Sequence, residues 1–519
     1  YKINKRINMS KLFLFAVGGT GARVLRSFTM LIASGLQGFD SSTEIVPIII
    51  DHDRQCGDKK RATDTLDTYQ NINRALYPNG NTVSYVDHFF MTRVTPLSEV
   101  GAAHIPNHVG DSKWCLNFGP DGSVKFAEFI GIPSMVAMPG LTETLGLLHA
   151  LYDSSDDTAP AAELELNLNV GFKGKPNIGT VVFHELKDTV EFQQFLARCA
   201  PNDKVFIVGS LFGGTGSSGI PEIVKAIRNS GAACANTQIG TALMLPYFGL
   251  LPNQHPNNDG LNTGAIDSAM FNAKTKAALG SYSIGGGDAL NNMVNSIYYI
   301  GDEVNATSNE YNEGAVSQKN PAHVAEFIAA QAIVDFWVSG NAGPHEFGTR
   351  DDGQTKAFDL QAFHDVTHEQ ILTSLSVFTL AVRYYREVVR GERVKLNPTT
   401  TFYSSKGFDL AANLNKGIYA LIDVFLGIPA NNDWGFYPWL KELADQPHAL
   451  KLYNIGTDSL NDILCHKVIK GGLISSPVTK DDNLNSKMNS ITKNITSKDV
   501  TTFFKSLRTL GQEIYNIIK

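Results

Sequence analysis

Cysteine is scarce in this sequence: five in 519 residues (Cys56, Cys115, Cys199, Cys234 and Cys465), far apart and never paired as CxxC. That excludes a disulfide scaffold and a zinc framework, and reads as free thiols in a reducing compartment. Long apolar runs are missing too. No stretch reaches the ~18 uncharged residues needed to cross a bilayer, so no membrane span is expected. Lys2, Lys5, Arg6 and Lys11 precede an apolar run over 12–17 and imitate an export signal, but the run breaks at Gly18-Gly19. A cytoplasmic protein is the expectation. Basic charge is in deficit, with 44 Lys and Arg against 51 Asp and Glu and a net charge of −7. Neutralising nucleic-acid phosphates needs a basic surface, so general nucleic-acid binding is not expected. Glycine is plentiful at 46 residues, in a chain 43% hydrophobic and 18% charged. At roughly 150 residues per unit, the length points to about three structural units.

Strand-like and helix-like segments alternate through the first part. The run over 12–17 ends in glycines, and 22–33 follows with Val24, Leu25, Phe28, Leu31 and Ile32 at helical spacing. Residues 44–50 are β-branched apart from Glu44 and Pro47, and end at Asp51-His52-Asp53. Strand, turn, helix and strand make a βαβ unit, and continuous apolar strands indicate a parallel sheet covered on both faces. The pattern returns at 204–208, followed by a glycine-rich turn over 209–219 and a helix expected over 221–227 with Pro221 in its first turn. Further strands are expected over 238–245 and 296–300, and Asn320-Pro321 opens another helix. Residues 54–160 are looser, with a candidate helix over 141–152.

After about residue 340 the pattern is mostly helical. The polar tract 475–498 reads as a flexible linker. The last segment carries Val500, Phe503, Phe504, Leu507, Leu510 and Ile514 on one stripe, suited to docking on the chain's own body or on a partner protein. The expected fold class is therefore α/β: a doubly wound parallel-sheet nucleotide-binding domain over 9–315, a long central helix over 316–340, an α-rich second domain over 341–474, the linker, and a C-terminal amphipathic helix over 499–519.

Two glycine clusters stand where predicted parallel strands run into helices: Gly18-Gly19-Thr20-Gly21 and Gly213-Gly214-Thr215-Gly216-Ser217-Ser218-Gly219. Ligands of open α/β sheets bind at the carboxyl ends of strands, where helix N-termini present unpaired N–H groups to anions. Glycine lets the backbone approach phosphate oxygens, and Thr and Ser hydroxyls donate to them. One such turn also serves as a tight connection; two together imply a polyphosphate. No GxxxxGK[ST] occurs, which argues against a P-loop, and Gly19-x-Gly21-x-x-Val24 departs from the Rossmann fingerprint at its third position. Because side chains are excluded from such a cradle, Gly214→Val or Gly216→Val is expected to abolish nucleotide binding without unfolding the chain.

These residues resemble the tubulin and FtsZ superfamily of GTPases. Phe212-Gly213-Gly214-Thr215-Gly216-Ser217-Ser218 is similar to that family's GGGTG[ST]G signature loop, with Phe212 for its first glycine and Ser218 for its last. Phe15-Ala16-Val17-Gly18-Gly19-Thr20-Gly21 resembles its first glycine loop, and Ile50-Asp51-His52-Asp53 the strand end that touches phosphate and metal. The resemblance covers residues 11 to about 340 and points to a divergent bacterial tubulin-like protein. It implies GTP or GDP with Mg²⁺ as cofactors, with Gly18 to Gly21 and Gly213 to Ser218 as phosphate cradle, Asp51 and Asp53 near a hydrated Mg²⁺, and Asp53 as the metal contact. It also places Asp302 at the ribose and base and Asn320 at guanine, although Asn320 beside a proline equally suits a helix cap.

In that family a loop after the central helix enters the neighbouring subunit's site and positions the attacking water. Here the region reads Asn341-Ala342-Gly343-Pro344-His345-Glu346, then Asp351-Asp352, without a clear NxD pattern. Glu346, Asp351 and Asp352 are the acids nearest that role, and a slow or assembly-dependent GTPase that self-associates head to tail, or works with a partner, is expected. The alternatives are a Rossmann-type dinucleotide-binding enzyme and a nucleotide-gated scaffold without hydrolysis. His364 and His368 share helical spacing for a metal, but without HExxH or a third ligand a solvated face is the simpler reading.

Overall fold

The computed structural model describes residues 10–39, 42–53, 55–78, 88–100, 113–120, 123–152 without 137 and 139, 163–248 without 173, 268–284, 289–302, 319–347 without 341, 365–389, 413–446 without 430 and 431, 453, 481–494 and 500–518. In chain order its main elements are β1 (Ser10–Val17), α1 (Gly18–Ala33), β2 (Thr43–Ile50), α2 (Gly57–Leu76), β3 (Arg93–Val94), α3 (Thr142–Tyr152), α4 (Pro176–Phe183), α5 (Val190–Arg198), β4 (Lys204–Ser210), α6 (Gly214–Arg228), β5 (Gln238–Met244), α7 (Ser268–Ser283), β6 (Ser296–Ile300), α8 (Val324–Ser339), β7 (Gly343–Phe347), α9 (Asp365–Tyr384), α10 (Asn413–Leu426), α11 (Phe436–Ala444), α12 (Asp481–Thr492) and α13 (Val500–Ile518).

The strands form one seven-stranded sheet in the order β3-β2-β1-β4-β5-β6-β7, and every pairing is parallel. Alternate side chains of the inner strands feed two cores, as the two-residue period of a strand requires. Leu12, Leu14 and Ala16 face α1, α2 and α8. Phe13, Phe15 and Val17 face α4, α5 and α6. The strand order reverses between β1 and β4, so α1 and α6 leave adjacent strand ends toward opposite faces.

Three boundaries differ from expectation for local reasons. Helix α6 starts at Gly214, which puts Pro221 inside the helix. The proline lacks an N–H for the Ser217 carbonyl, and Tyr282 supplies the missing donor, its hydroxyl 2.5 Å from that oxygen. Helix α8 starts at Val324, because His323 and Glu326 form its capping box. Asn320 is thus neither the cap nor part of the helix. Residues 343–347 join the sheet as edge strand β7, in register with β6. Pro344 is tolerated there because an edge strand leaves one set of N–H groups unpaired.

The C-terminal helices do not pack on a core of their own. Phe378 of α9, Phe425 of α10, Trp439 of α11 and Leu510 of α13 belong to the same buried cluster as α1, α2 and α8. The polar tract contains helix α12, with Leu484 and Met488 buried, so the described part of that segment is ordered by packing against α13. The apolar stripe of α13 is likewise spent on the body: Phe503, Leu507, Leu510 and Ile514 are all 2% exposed or less. A partner docking through this stripe is therefore replaced by intramolecular packing. Among the described residues no helix is long and apolar enough to cross a membrane.

Candidate functional site

The two glycine turns lie side by side at the point where the strand order reverses. Gly18 follows Val17 with φ +72°, a left-handed conformation that glycine adopts without strain. A Cβ built on Gly18 would sit 3.5 Å from Thr215 Cβ and 3.9 Å from the Gly216 nitrogen, so the first turns of α1 and α6 lie about one methyl group apart. The capping positions Val17 and Gly213 provide no side-chain acceptor, and neither first turn holds an acidic residue. Two helix N-termini therefore converge with their N–H groups uncapped and their positive dipole ends together. Gly19, Gly213 and Thr215 are the partly exposed members of the pair of turns. The segment at Phe172, Gly174 and Lys175 lies against Gly214, leaving no room for a Cβ there.

The hydroxyls divide into two groups. Ser217 donates back to the Gly213 carbonyl, and Ser218 to the Gly214 carbonyl at 2.7 Å. Both are committed to their own helix. Thr20 differs: its Oγ1 accepts from Arg23 Nη2 at 3.2 Å.

At the end of β2, Asp51 Oδ1 accepts from the Asp53 main-chain N–H at 3.0 Å, and Asp53 Oδ1 accepts from Gln55 N–H at 2.9 Å. Lys59 Nζ donates to the Asp53 carbonyl at 2.6 Å. These Asx turns pin the loop, and the Cys56 thiol also hydrogen-bonds the Asp51 carboxylate. Asp53 is 6% exposed, and among the described residues no three metal-binding side chains converge. A shallow cleft of about 10 Å³, room for little more than a water, lies beside Asp51 and is lined also by His52, Asn117, Phe118, Leu168 and Asn169.

Burial pushes the Asp51 carboxyl up to about 6, against the pull of Lys59 and the Asp53 N–H. A folded-state pKa above the unfolded value means that ionised Asp51 costs stability above pH 6. That cost disappears as pH falls below about 4. Asp51→Asn is thus expected to be more stable than the parent at pH 8, by no more than about 3 kcal/mol. Thermal melts at pH 8 and pH 4 check this, with the gain vanishing at the lower pH.

The base-reading residues are engaged by the protein itself. Asn320, 5% exposed, donates its main-chain N–H and its Nδ2 to Asp58 at 2.9 and 3.0 Å, and its carbonyl accepts from Arg61 at 2.9 Å. Asp302 lies 3.8 Å from His323 Nε2 with its side chain 2% exposed. Glu346 is an exposed side chain on β7, opposite Tyr299. Glu346 thus lies on an edge strand three strand spacings, roughly 14 Å, from β4 of its own chain. Asp351 and Asp352 lie outside the described residues, as does His364; His368 Nδ1 is 2.8 Å from Gln331 Oε1.

Sequence patterns missed the ionic network under the first glycine turn. Arg23 reaches Glu326 Oε1 at 2.5 Å, Asp58 Oδ2 at 2.6 Å and Tyr247 OH at 2.7 Å, and Tyr247 donates in turn to Glu326 at 2.7 Å. Arg61 and Arg26 both bind Glu442 of α11. The signal in the sequence was the two arginines, Arg23 and Arg26, inside the largely apolar helix α1.

A comparison with protein-family models finds no match, and neither does a comparison with curated proteins. Among solved structures the chain is similar to CetZ from Methanosaeta thermophila strain DSM 6194, at 12% sequence identity and a TM-score of 0.23. The match covers 56% of this chain and 46% of that one, so it spans less than half of that protein's length.

Proposed function

We propose that this chain is a tubulin-like protein that binds the polyphosphate of a guanine nucleotide at the β1–β4 switch point of a doubly wound sheet. One observation carries the reading: two uncapped helix N-termini side by side, built from Gly18 to Thr20 and Gly214 to Gly216, with space for no more than a methyl group between Gly18 and Thr215. Such a pair concentrates N–H donors and dipole charge on one anion, where a single helix end is already an anion site. The order of motifs along the chain supports the family resemblance, with a glycine turn after the first strand, acids after the second and the signature loop after the fourth. Guanine rests on that resemblance alone, since Asn320 and Asp302 are turned to protein partners. Asp53 would hold Mg²⁺, which when bound would screen the phosphate charge.

A specific observation favours slow turnover. Residues 343–347 of the stretch expected to enter a neighbour's site form strand β7, which removes Glu346 from a free loop, and the sequence there has no clear NxD pattern. Tight binding with little hydrolysis follows, close to the nucleotide-gated scaffold.

The test is nucleotide extraction from the purified chain, then GTPase rate per subunit against concentration. Released GDP or GTP with slow turnover, rising only at high concentration or with a partner, supports the reading. Released NAD or FAD would establish the Rossmann alternative. Fast, concentration-independent hydrolysis by a monomer would overturn the assembly-dependent mechanism.

A further inference from the structure

We propose that Arg23 is a positioning residue for the anion site: it holds the Thr20 hydroxyl so that its proton is directed at a bound phosphate. The inference rests on the polyphosphate reading above and adds to it a residue that touches no ligand.

The argument starts from the immobility of the guanidinium. Arg23 is 3% exposed, and Glu326, Asp58 and Tyr247 take its Nε, Nη1 and Nη2 at 2.5 to 2.7 Å. A planar fork held at three corners cannot turn without stranding buried charge. Its Nη2 also points at Thr20 Oγ1, 3.2 Å away. A hydroxyl that accepts from a cation keeps its own proton for another acceptor. Elsewhere in these helices that proton is used locally: Thr29, Ser217 and Ser218 each donate to the carbonyl four residues back. For Thr20 that carbonyl belongs to Ala16 in β1, and among the described residues the bond from Arg23 is the one its hydroxyl makes. Thr20 is the third residue of α1, after two glycines, and so provides the only side-chain donor in the turn that meets α6.

The electrostatics are compatible with an anion. Arg23 faces two carboxylates, an excess of one negative charge, but Arg26 and Arg61 share Glu442 close by. Three guanidiniums then balance three carboxylates, and the network does not oppose phosphate by net charge.

The experiment is calorimetric titration of the full chain with inorganic pyrophosphate and with GTP, for the parent, Thr20→Val, Arg23→Lys and the double variant. Lysine keeps the charge but cannot reach both a carboxylate and Thr20. Each single change is expected to weaken pyrophosphate binding about ten- to a hundredfold, the worth of one hydrogen bond to a charged group. The double variant is expected to lose no more than the worse single one, and Thr20→Ser to restore parental affinity. A merely structural Arg23 would give losses that multiply in the double variant, and that outcome overturns the proposal; so does unchanged affinity in Thr20→Val. If Arg23→Lys fails to fold, Tyr247→Phe replaces it in the same cycle, with affinity falling only when Thr20 is present. A parent chain that binds no pyrophosphate overturns the polyphosphate reading itself.

Discussion

Gly216→Ala is expected to destabilise the protein by more than about 3 kcal/mol, the upper part of the usual range for overpacking. A methyl at this position would lie 2.4 Å from the Ser210 carbonyl oxygen and 2.6 Å from the Ser210 nitrogen. Both are main-chain atoms at the end of β4, and neither moves without displacing the strand. Gly216 is therefore needed for the close approach of α6 to β4 before any ligand is considered. This corrects the expectation that Gly216→Val spares the fold, and Gly214 behaves similarly, its Cβ position lying 2.8 Å from Phe172 Cβ. Gly213→Ala is the cleaner control. Its φ of −88° suits any residue, and the one close neighbour is the Ser210 hydroxyl at 2.8 Å, which rotates away. Chemical denaturation should find Gly213→Ala near parental stability and Gly216→Ala strongly destabilised; equal stability of the two would refute the close-approach argument.

Arg23→Ala is expected to cost about 3–5 kcal/mol, the range measured when one side of a buried ion pair is removed. The change leaves Asp58 and Glu326 facing each other across a cavity, both less than 2% exposed. Burial already pushes the Asp58 carboxyl upward, with Arg23 and Asn320 opposing it. Without the arginine, Asp58 would bind its proton more readily in the folded state than in the unfolded one. The deficit is then largest at neutral pH and shrinks as pH falls toward the unfolded carboxylate values near 4. Urea unfolding at pH 7 and pH 5 measures this. A deficit independent of pH would mean that lost packing, rather than uncompensated charge, is responsible.

Much of the sheet was legible from local pattern. The apolar run ending in Gly18-Gly19 could be little other than a buried strand entering a tight turn, and β1, β2, β4, β5 and β6 all appear within two residues of their expected positions. The helix over 141–152 was legible for the same reason. β7 was not, because Gly343-Pro344-His345-Glu346-Phe347 lacks the β-branched alternation of a strand and is recruited by the free edge of β6. The candidate site divides the same way. Its glycine turns announce themselves, since only glycine suits a positive φ at position 18 and a backbone contact at position 216.

The partners of the turns do not. Arg23 and Glu326 are separated by 303 residues, Asn320 and Asp58 by 262, and Arg61 and Glu442 by 381. Periodicity reports which face a residue presents to the core, and turn chemistry reports what the backbone must do within a few residues. Both are properties of short segments, and they were enough to mark the strands, the switch-point glycines and the parallel sheet. Pairing of buried charge is decided when distant segments compete for the same desolvated space, where each guanidinium must find a carboxylate or remain unburied. That competition made Asn320 a partner of Asp58 instead of a helix cap, turned the C-terminal stripe inward onto α9, and set Arg23 beneath Thr20.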